Sequence, residues 1–344
     1  MSNLLFLVEL PDGTERRGEE VDKALLRVQC QTDIDQLLSE SVVFTLLSER
    51  NLGPKMLGVF PGGRFEQFIP SRPLQCLEIS RPNLARRIAP LIARVHTLDV
   101  PINKEPQTIE TARGWLKRFR KTPNASKPIT LYLTKAKLSA ETYPASVTVD
   151  DLEKELDFVH KFLKNSESPV VFSHNDLQEG NILLMNGHEL DEAGTVTASE
   201  GTTQSDEPLT LIDFEYSSYN YRGFDLGNHF CEYGYDYSLE ESPFYTIHQD
   251  TFDGVEERYL QKSDQNPHFP SDMVTGNREK DFDQLKLETI LFMPVSNLFW
   301  ACWSLINAEE SSIEFDYNAY ARDRLALYYQ QKKHIELYMA TLKK

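Results

Sequence analysis

The chain has 344 residues, 53 acidic against 36 basic side chains and a formal charge of −17, with 40% hydrophobic and 11% aromatic residues. That length and apolar content suit a packed protein of one large domain or two moderate lobes and exclude a disordered chain. With no basic run, nucleic acid and anionic membrane surfaces are poor partners, since both need clustered Lys and Arg; a small cation suits the balance better.

Along the chain, Leu4 to Leu10 and Lys23 to Cys30 are β-like runs separated by the turn Pro11-Asp12-Gly13. Ile34 to Arg50 places Leu37, Leu38, Val42, Leu46 and Leu47 near one helical face and stops at Asn51-Leu52-Gly53-Pro54. Lys55 to Phe60 and Arg64 to Ile69 read as short strands around Pro61-Gly62-Gly63, and Pro70-Ser71-Arg72-Pro73 reads as a hinge. Beyond it, Leu84 to His96, Asp151 to Leu163, Gln284 to Ile306 and Tyr317 to Leu342 show helical spacing. Within this part, Val170 to Ser173, Asn181 to Met185 and Leu209 to Asp213 are β-like and are expected to form one small sheet between the lobes. Asn186 to Pro208, rich in Gly, Ser, Thr and acid, reads as an exposed loop of low structural content. Leu291 to Ile306 is the most apolar stretch; broken by Pro294, Ser296 and Asn297, it reads as a buried helix and not a membrane span. Cys30, Cys76, Cys231 and Cys302 stand singly, which fits a reducing cytosol, and no basic-then-apolar leader is expected at Met1.

The expected fold is therefore α+β: a small β-rich lobe over residues 1–72 and a larger helical lobe over 73–344. The chemistry concentrates in Ser173-His174-Asn175-Asp176-Leu177-Gln178-Glu179-Gly180-Asn181-Ile182, followed later by Leu211-Ile212-Asp213-Phe214-Glu215. This is the order and spacing of a kinase catalytic loop: an Asp to accept the proton of the attacking hydroxyl, an Asn five residues on for Mg²⁺, and an Asp after the next strand for the metal that bridges the phosphates of ATP. Asp176, Asn181 and Asp213 fill those places. An Asx-rich turn would explain any one of them, but not all three in order between apolar strands. His174 reads as a residue that orients the loop by hydrogen bonding.

The segment Ile212-Asp213-Phe214-Glu215-Tyr216-Ser217-Ser218-Tyr219-Asn220-Tyr221-Arg222-Gly223-Phe224-Asp225-Leu226-Gly227-Asn228-His229-Phe230-Cys231-Glu232 resembles the signature of the choline/ethanolamine kinase family. Further segments similar to that family run from Glu40 to Pro54, Glu66 to Leu74 and Ser311 to Phe315, so the resemblance spans nearly the whole chain. It implies a two-lobed protein-kinase-like fold and ATP-dependent phosphorylation of choline to phosphocholine, the first committed step toward phosphatidylcholine. It also implies a cytoplasmic homodimer. On this resemblance Arg27 takes the phosphate-contacting place with Glu40 as its ion-pair partner, Gln67 and Ile69 read the adenine edge, and Glu215 adds a second acidic group to the metal site of Asn181 and Asp213. The choline pocket implied by the family places Asp176, Gln178, Tyr216, Glu232, Tyr237, Trp300, Trp303 and Tyr320 around the substrate, with Glu232 as an acidic floor. Read without the resemblance, Trp300 and Trp303 are core residues three apart on a helix; with it, they are walls that hold a quaternary ammonium by ring quadrupoles. The Gln178-Glu179-Gly180 version of the loop resembles choline kinases more than ethanolamine-selective relatives, with ethanolamine as a side activity. Tyr233 stands on the expected pocket wall where the family commonly has Trp.

The family's Gly-Gly nucleotide loop and first strand would precede Met1-Ser2-Asn3-Leu4. The expectation is a nucleotide lobe lacking that cradle, from an incomplete or shorter version of the gene product or from an enzyme that dispenses with the loop. A second reading, from another class, is a catalytically weak choline-binding or regulatory dimer partner. An aminoglycoside or protein kinase would share the loop but not the Asp213 to Glu232 block.

Overall fold

The computed structural model describes residues 3–14, 21–29, 34–131, 144–201, 207–237, 239 and 275–342. Met1, Ser2, Cys30 and positions 202–206 of the acidic loop lie outside the described residues.

Runs of Leu, Phe and Val on either side of a Pro-Asp-Gly turn favour strand pairing. Strand β1 (Asn3–Glu9) accordingly pairs antiparallel with β2 (Lys23–Gln29), from Asn3 opposite Gln29 to Glu9 opposite Lys23. Helix α1 (Ile34–Glu49) follows, then β3 (Met56–Phe60) and β4 (Gly63–Gln67), giving a sheet ordered β1-β2-β4-β3. Gly62 takes φ +89° in the β3–β4 turn, and a Cβ on Gly63 would meet the Arg27 carbonyl at 2.5 Å, so this hairpin closes only with glycine at both positions. Strand β1 is an edge, and Leu4 to Val8 are 41–52% exposed there.

Helix α1 sits one step out of the expected phase. Val43, Phe44 and Leu47 are its buried apolar residues, while Leu38 and Val42 face out and the side chain of Leu37 lies outside the described set. Val43 and Leu47 pack with Leu74, Leu211 and Phe214 of the larger lobe, so the phase is chosen by the lobe contact. Ser71–Pro73, read as hinge, forms a strand, β5.

The larger lobe continues with α2 (Cys76–Ile79), α3 (Pro82–His96), α4 (Thr108–Phe119), the short pair β6 (Ile129–Thr130) and β7 (Ser146–Val147), and α5 (Val149–Leu163). Then come β8 (Val170–Ser173), β9 (Ile182–Met185), β10 (His188–Leu190), β11 (Val196–Ala198), β12 (Leu209–Leu211) and β13 (Ser218–Tyr221). Helices α6 (Arg222–Glu232), α7 (Arg278–Glu310) and α8 (Tyr317–Thr341) complete it. Two expectations change. The single small sheet is two: β9 pairs with β12 and β5, whereas β8 pairs with β13. The Asn186 to Pro208 loop holds a hairpin, β10 with β11, which docks through Asn83 Nδ2 to Thr195 Oγ1 and Arg81 to the Asp191 carbonyl.

Helix α7 is long and apolar enough to cross a membrane, yet 83% of its apolar window is buried inside the molecule. It runs through the main core with α4, α5, α6 and α8 around it. Helix α6 approaches it at Gly223 and Gly227, where an added Cβ would lie 2.5 Å from the Phe292 ring and 2.8 Å from the Met293 nitrogen. That close crossing brings Asn228 and Glu232 of α6 beside the tryptophans of α7.

Candidate active site

Strand pairing brings two distant loops together. Because β13 pairs with β8 and β12 with β9, the loop after Ser173 and the turn after Leu211 leave the same side of the two sheets. His174 ties them. Its Nδ1 accepts from the Asp176 N–H at 3.3 Å, so Nε2 carries the proton that it donates to the Ile212 carbonyl at 2.9 Å. Burial lowers its pKa, which keeps the ring in that neutral tautomer. The orienting role expected of His174 is what the geometry shows.

Asn181 donates from Nδ2 to the Asp176 carboxylate at 2.9 Å and to its carbonyl at 2.8 Å, which leaves Oδ1 as the oxygen free for a metal. Asp213 has φ +61° and Asn175 φ +67°, left-handed conformations that strain a non-glycine residue. Asn175 is held there by its own side chain, which donates to the Tyr216 carbonyl at 2.9 Å and to Ser218 Oγ at 3.0 Å. Beneath the loop, buried Asp225 accepts from the backbone N–H of His174 and Asn175 and bonds His96 Nε2, all at 2.8–2.9 Å.

A cavity of about 390 Å³ opens above Asp176. Its lining includes every residue expected around the substrate: Asp176, Gln178, Tyr216, Glu232, Tyr237, Trp300, Trp303 and Tyr320. The rings lock one another at edge-on angles, Tyr216 against Trp300 at 5.3 Å and Trp300 against Trp303 at 5.5 Å between centroids. Their polar edges are tied down: Trp300 Nε1 donates to Asn228 at 2.7 Å, and Trp303 Nε1 donates to the Tyr216 hydroxyl at 3.0 Å. The π faces are thereby held in place without spending any hydrogen-bonding group on the cavity.

Two expectations need correction here. Tyr233 is not a wall of the cavity; it is buried against His229 and Phe230, with its hydroxyl 3.3 Å from His229 Nε2. Glu232 does line the cavity, but as half of an ion pair: Oε1 accepts from Arg324 at 2.5 Å and Oε2 from the Tyr237 hydroxyl at 2.5 Å. Nothing in the local sequence marks Arg324, Asn228 or Asp225 for these tasks, because each acts on a partner more than 45 residues away.

Asp176 has its carboxyl pushed well above the usual range, first by burial and then by the carboxylates of Glu232, Asp213 and Glu215. Glu179, further along the loop, is raised to about 7 by burial and by Glu232; its Oε1 accepts from Cys76 Sγ while Oε2 has no partner among the described residues. Crowded anions of this kind are what a divalent cation would relieve. Among the described residues no three His, Cys, Asp or Glu side chains could hold a metal by themselves. Oxygen donors from Asp213, Glu215 and Asn181 therefore fit a hard ion that completes its shell with water and phosphate, as Mg²⁺ does.

On the other side of Asp213 lies a second cavity, about 200 Å³, lined by Leu5, Leu25, Arg27, Gln67, Ile69, Leu183 and Asp213 among others. The expected Arg27–Glu40 pair is replaced by a relay. Arg27 and Arg64 are register partners on β2 and β4, and Glu66 Oε1 takes both, at 2.6 and 2.8 Å; Arg64 in turn reaches Glu40 at 2.8 Å. A carboxylate two residues along the neighbouring strand is nearer to Arg27 than one on the helix, and it captures the guanidinium. Arg27 still reaches toward Asp213 at 3.7 Å. The backbone N–H of Gln67 is spent on the Lys55 carbonyl and the Ile69 carbonyl accepts from Ser71 Oγ at 2.8 Å, so the Gln67 carbonyl and the Ile69 N–H are the backbone groups that can face a ligand.

Comparison with known proteins gives the family and the fold. The family model described as choline/ethanolamine kinase matches residues 1–329. Choline kinase A2 of Caenorhabditis elegans is 42% identical, with 97% of this chain aligned to 78% of the relative, and a human choline/ethanolamine kinase is 40% identical over 96% of this chain and 78% of its own length. The fold is similar to that of a choline kinase crystal structure from Cryptosporidium parvum, with TM-score 0.68 at 23% identity over 98% of this chain and 88% of that one. A Plasmodium vivax ethanolamine kinase gives 0.63 at 22% identity over 95% and 80%. With a family match that reaches from the first strand into the last helix, the chain belongs to the choline/ethanolamine kinase family.

Proposed function

We propose that this protein transfers the γ-phosphoryl group of ATP to the hydroxyl of choline, giving phosphocholine, with ethanolamine as a poorer acceptor. The observation that carries the reading is the shared cavity: a carboxylate suited to take a hydroxyl proton and an aromatic box suited to a quaternary ammonium line the same 390 Å³ space. Choline is short, so a cation held by Tyr216, Trp300, Trp303, Tyr237 and Tyr320 leaves its hydroxyl within the same enclosure as Asp176. Each ring is worth about 0.5–2 kcal/mol toward the cation, depending on how dry the box is. Gln178 lines the same space and orients the acceptor.

Asp176 takes the hydroxyl proton as attack begins, and the bound cationic groups draw its raised pKa back down. The ATP adenine and phosphates occupy the cavity between Gln67, Ile69 and Arg27. Mg²⁺, held by Asp213, Glu215 and Asn181, would neutralise the charge that spreads over the transferring oxygens. Homodimer formation and a cytosolic location at the entry to phosphatidylcholine synthesis belong to the same reading; the buried, free thiols of Cys76, Cys231 and Cys302 suit a reducing compartment. The test is Asp176→Ala: unchanged thermal unfolding with choline-dependent ADP release lost by roughly 10²–10⁴-fold supports the assignment. Near-normal turnover would reject Asp176 as the base.

A further inference from the structure

A pocket for a cation contains a buried cation of its own. Among the described lining residues Arg324 is the one positive group, set among the carboxylates of Asp176, Asp213, Glu215, Glu232 and Glu314. It is 1% exposed, and Glu232 is 2% exposed. From one nitrogen, Nη2, Arg324 donates its two hydrogens to Glu232 Oε1 and to the Tyr320 hydroxyl at 2.5 Å each and lies 3.3 Å from the Tyr237 hydroxyl; Nη1 donates to Asn297 at 3.2 Å. Its guanidinium carbon lies 4.0 Å from the Tyr235 ring centroid and 4.8 Å from that of Tyr320. With the Tyr237 hydroxyl on Oε2, Glu232 has a donor on each oxygen before any substrate arrives.

We propose that Arg324 sets the selectivity of this site for a quaternary over a primary ammonium, by neutralising Glu232 and engaging its Oε1 while it holds Tyr237 on Oε2. The inference rests on the function proposed above. A trimethylammonium donates no conventional hydrogen bond, so it needs apolar and aromatic surface and loses nothing when the nearby acceptors are already paired. A primary ammonium leaves three hydrogen-bonded waters behind and must regain strong acceptors in the box; Glu232, the carboxylate at its aromatic end, has its charge paired with Arg324 and a donor already on each oxygen, which weakens it as an acceptor. The pocket disfavours the smaller substrate by offering its N–H groups a neutralised, partly engaged carboxylate at the aromatic end, a device that adds to size. The same hub holds Tyr237 and Tyr320 in place, so Arg324 is a positioning residue as well.

The test measures kcat/KM for choline and for ethanolamine on the unaltered chain, on Arg324→Gln and on Arg324→Lys, with thermal unfolding recorded for each. Freeing one Glu232 oxygen is expected to lower the choline-to-ethanolamine ratio roughly ten-fold in Arg324→Gln, mostly through KM, with Arg324→Lys between it and the parent. Should Arg324→Gln not fold, the charge-balanced Arg324→Gln/Glu232→Gln double variant takes its place, since its Gln carbonyl is again an open acceptor and the ratio is expected to fall likewise. A ratio that stays within two-fold while both rates drop together overturns the proposal and leaves Arg324 a structural residue. Absence of turnover with either amine in the unaltered chain overturns the functional reading itself and this inference with it.

Discussion

At the residue scale the site is organised by groups that never meet substrate. Burial would raise the Asp225 carboxyl, but the His96 hydrogen bond and the two loop N–H groups together hold it below the ordinary aspartate value. A carboxyl depressed on folding contributes stability above its unfolded pKa and loses that contribution as pH falls through the lower folded value. Asp225→Asn is therefore expected to cost about 2–5 kcal/mol at neutral pH and to slow turnover by releasing the Asp176 loop. The stability gap to the parent should narrow in acid. Urea unfolding at pH 7 and below pH 4 checks both points, and a gap that widens in acid would contradict the sign. Asp176 and Asn181 were legible in the sequence because they share one loop, and Asp213 because it closes the β-like run Leu209 to Asp213. Arg27 was legible too, but its partner was not: whether Glu40 or Glu66 receives the guanidinium depends on the register of β2 against β4 and not on either segment alone.

At the scale of elements, the box is a product of how closely α6 and α7 cross. Gly223 and Gly227 let the two backbones approach until Asn228 reaches the Trp300 indole at 2.7 Å. Gly227→Ala would push a methyl into the backbone at Met293 and Phe292, where no side-chain rotation relieves it. It is expected to destabilise the protein by roughly 1–3 kcal/mol and to raise the KM for choline more than the KM for ATP. Equal KM values with lowered stability would mean that the crossing serves packing alone. The long helices α3, α5, α7 and α8 were readable from apolar spacing. Helix α4 was passed over although Ile109, Ala112, Leu116 and Phe119 lie at helical spacing, and the β10–β11 hairpin was hidden in an acidic, Gly-bearing stretch whose strands are only three residues long. The one-step shift of α1 has the same origin. Its amphipathic pattern allowed two phases, and docking of Val43 and Leu47 against Phe214 and Leu211 chose between them.

At the scale of the molecule, two cavities meet at Asp213, one facing the small sheet and one the helical lobe. Arg27 joins the two sides through Asp213 at 3.7 Å, a loose contact that a nucleotide phosphate would replace. Arg27→Met should thus raise the KM for ATP about ten-fold or more while leaving the KM for choline within a few-fold, as steady-state kinetics in both substrates would reveal. Parallel loss in both would point to collapse of the Glu40–Arg64–Glu66 relay instead. The two-lobed plan and its family were visible from the Asp213 to Glu232 block; the cavity's internal ion pair was not, because Glu232 and Arg324 lie on separate helices 92 residues apart. The most direct measurement follows the phosphorus itself. ³¹P NMR of the purified protein with Mg²⁺, ATP and choline should show the γ-phosphate signal replaced by phosphocholine in step with ADP, and no such loss without choline. Conversion of ATP to inorganic phosphate at the same rate with and without choline, or no conversion at all, would contradict the account.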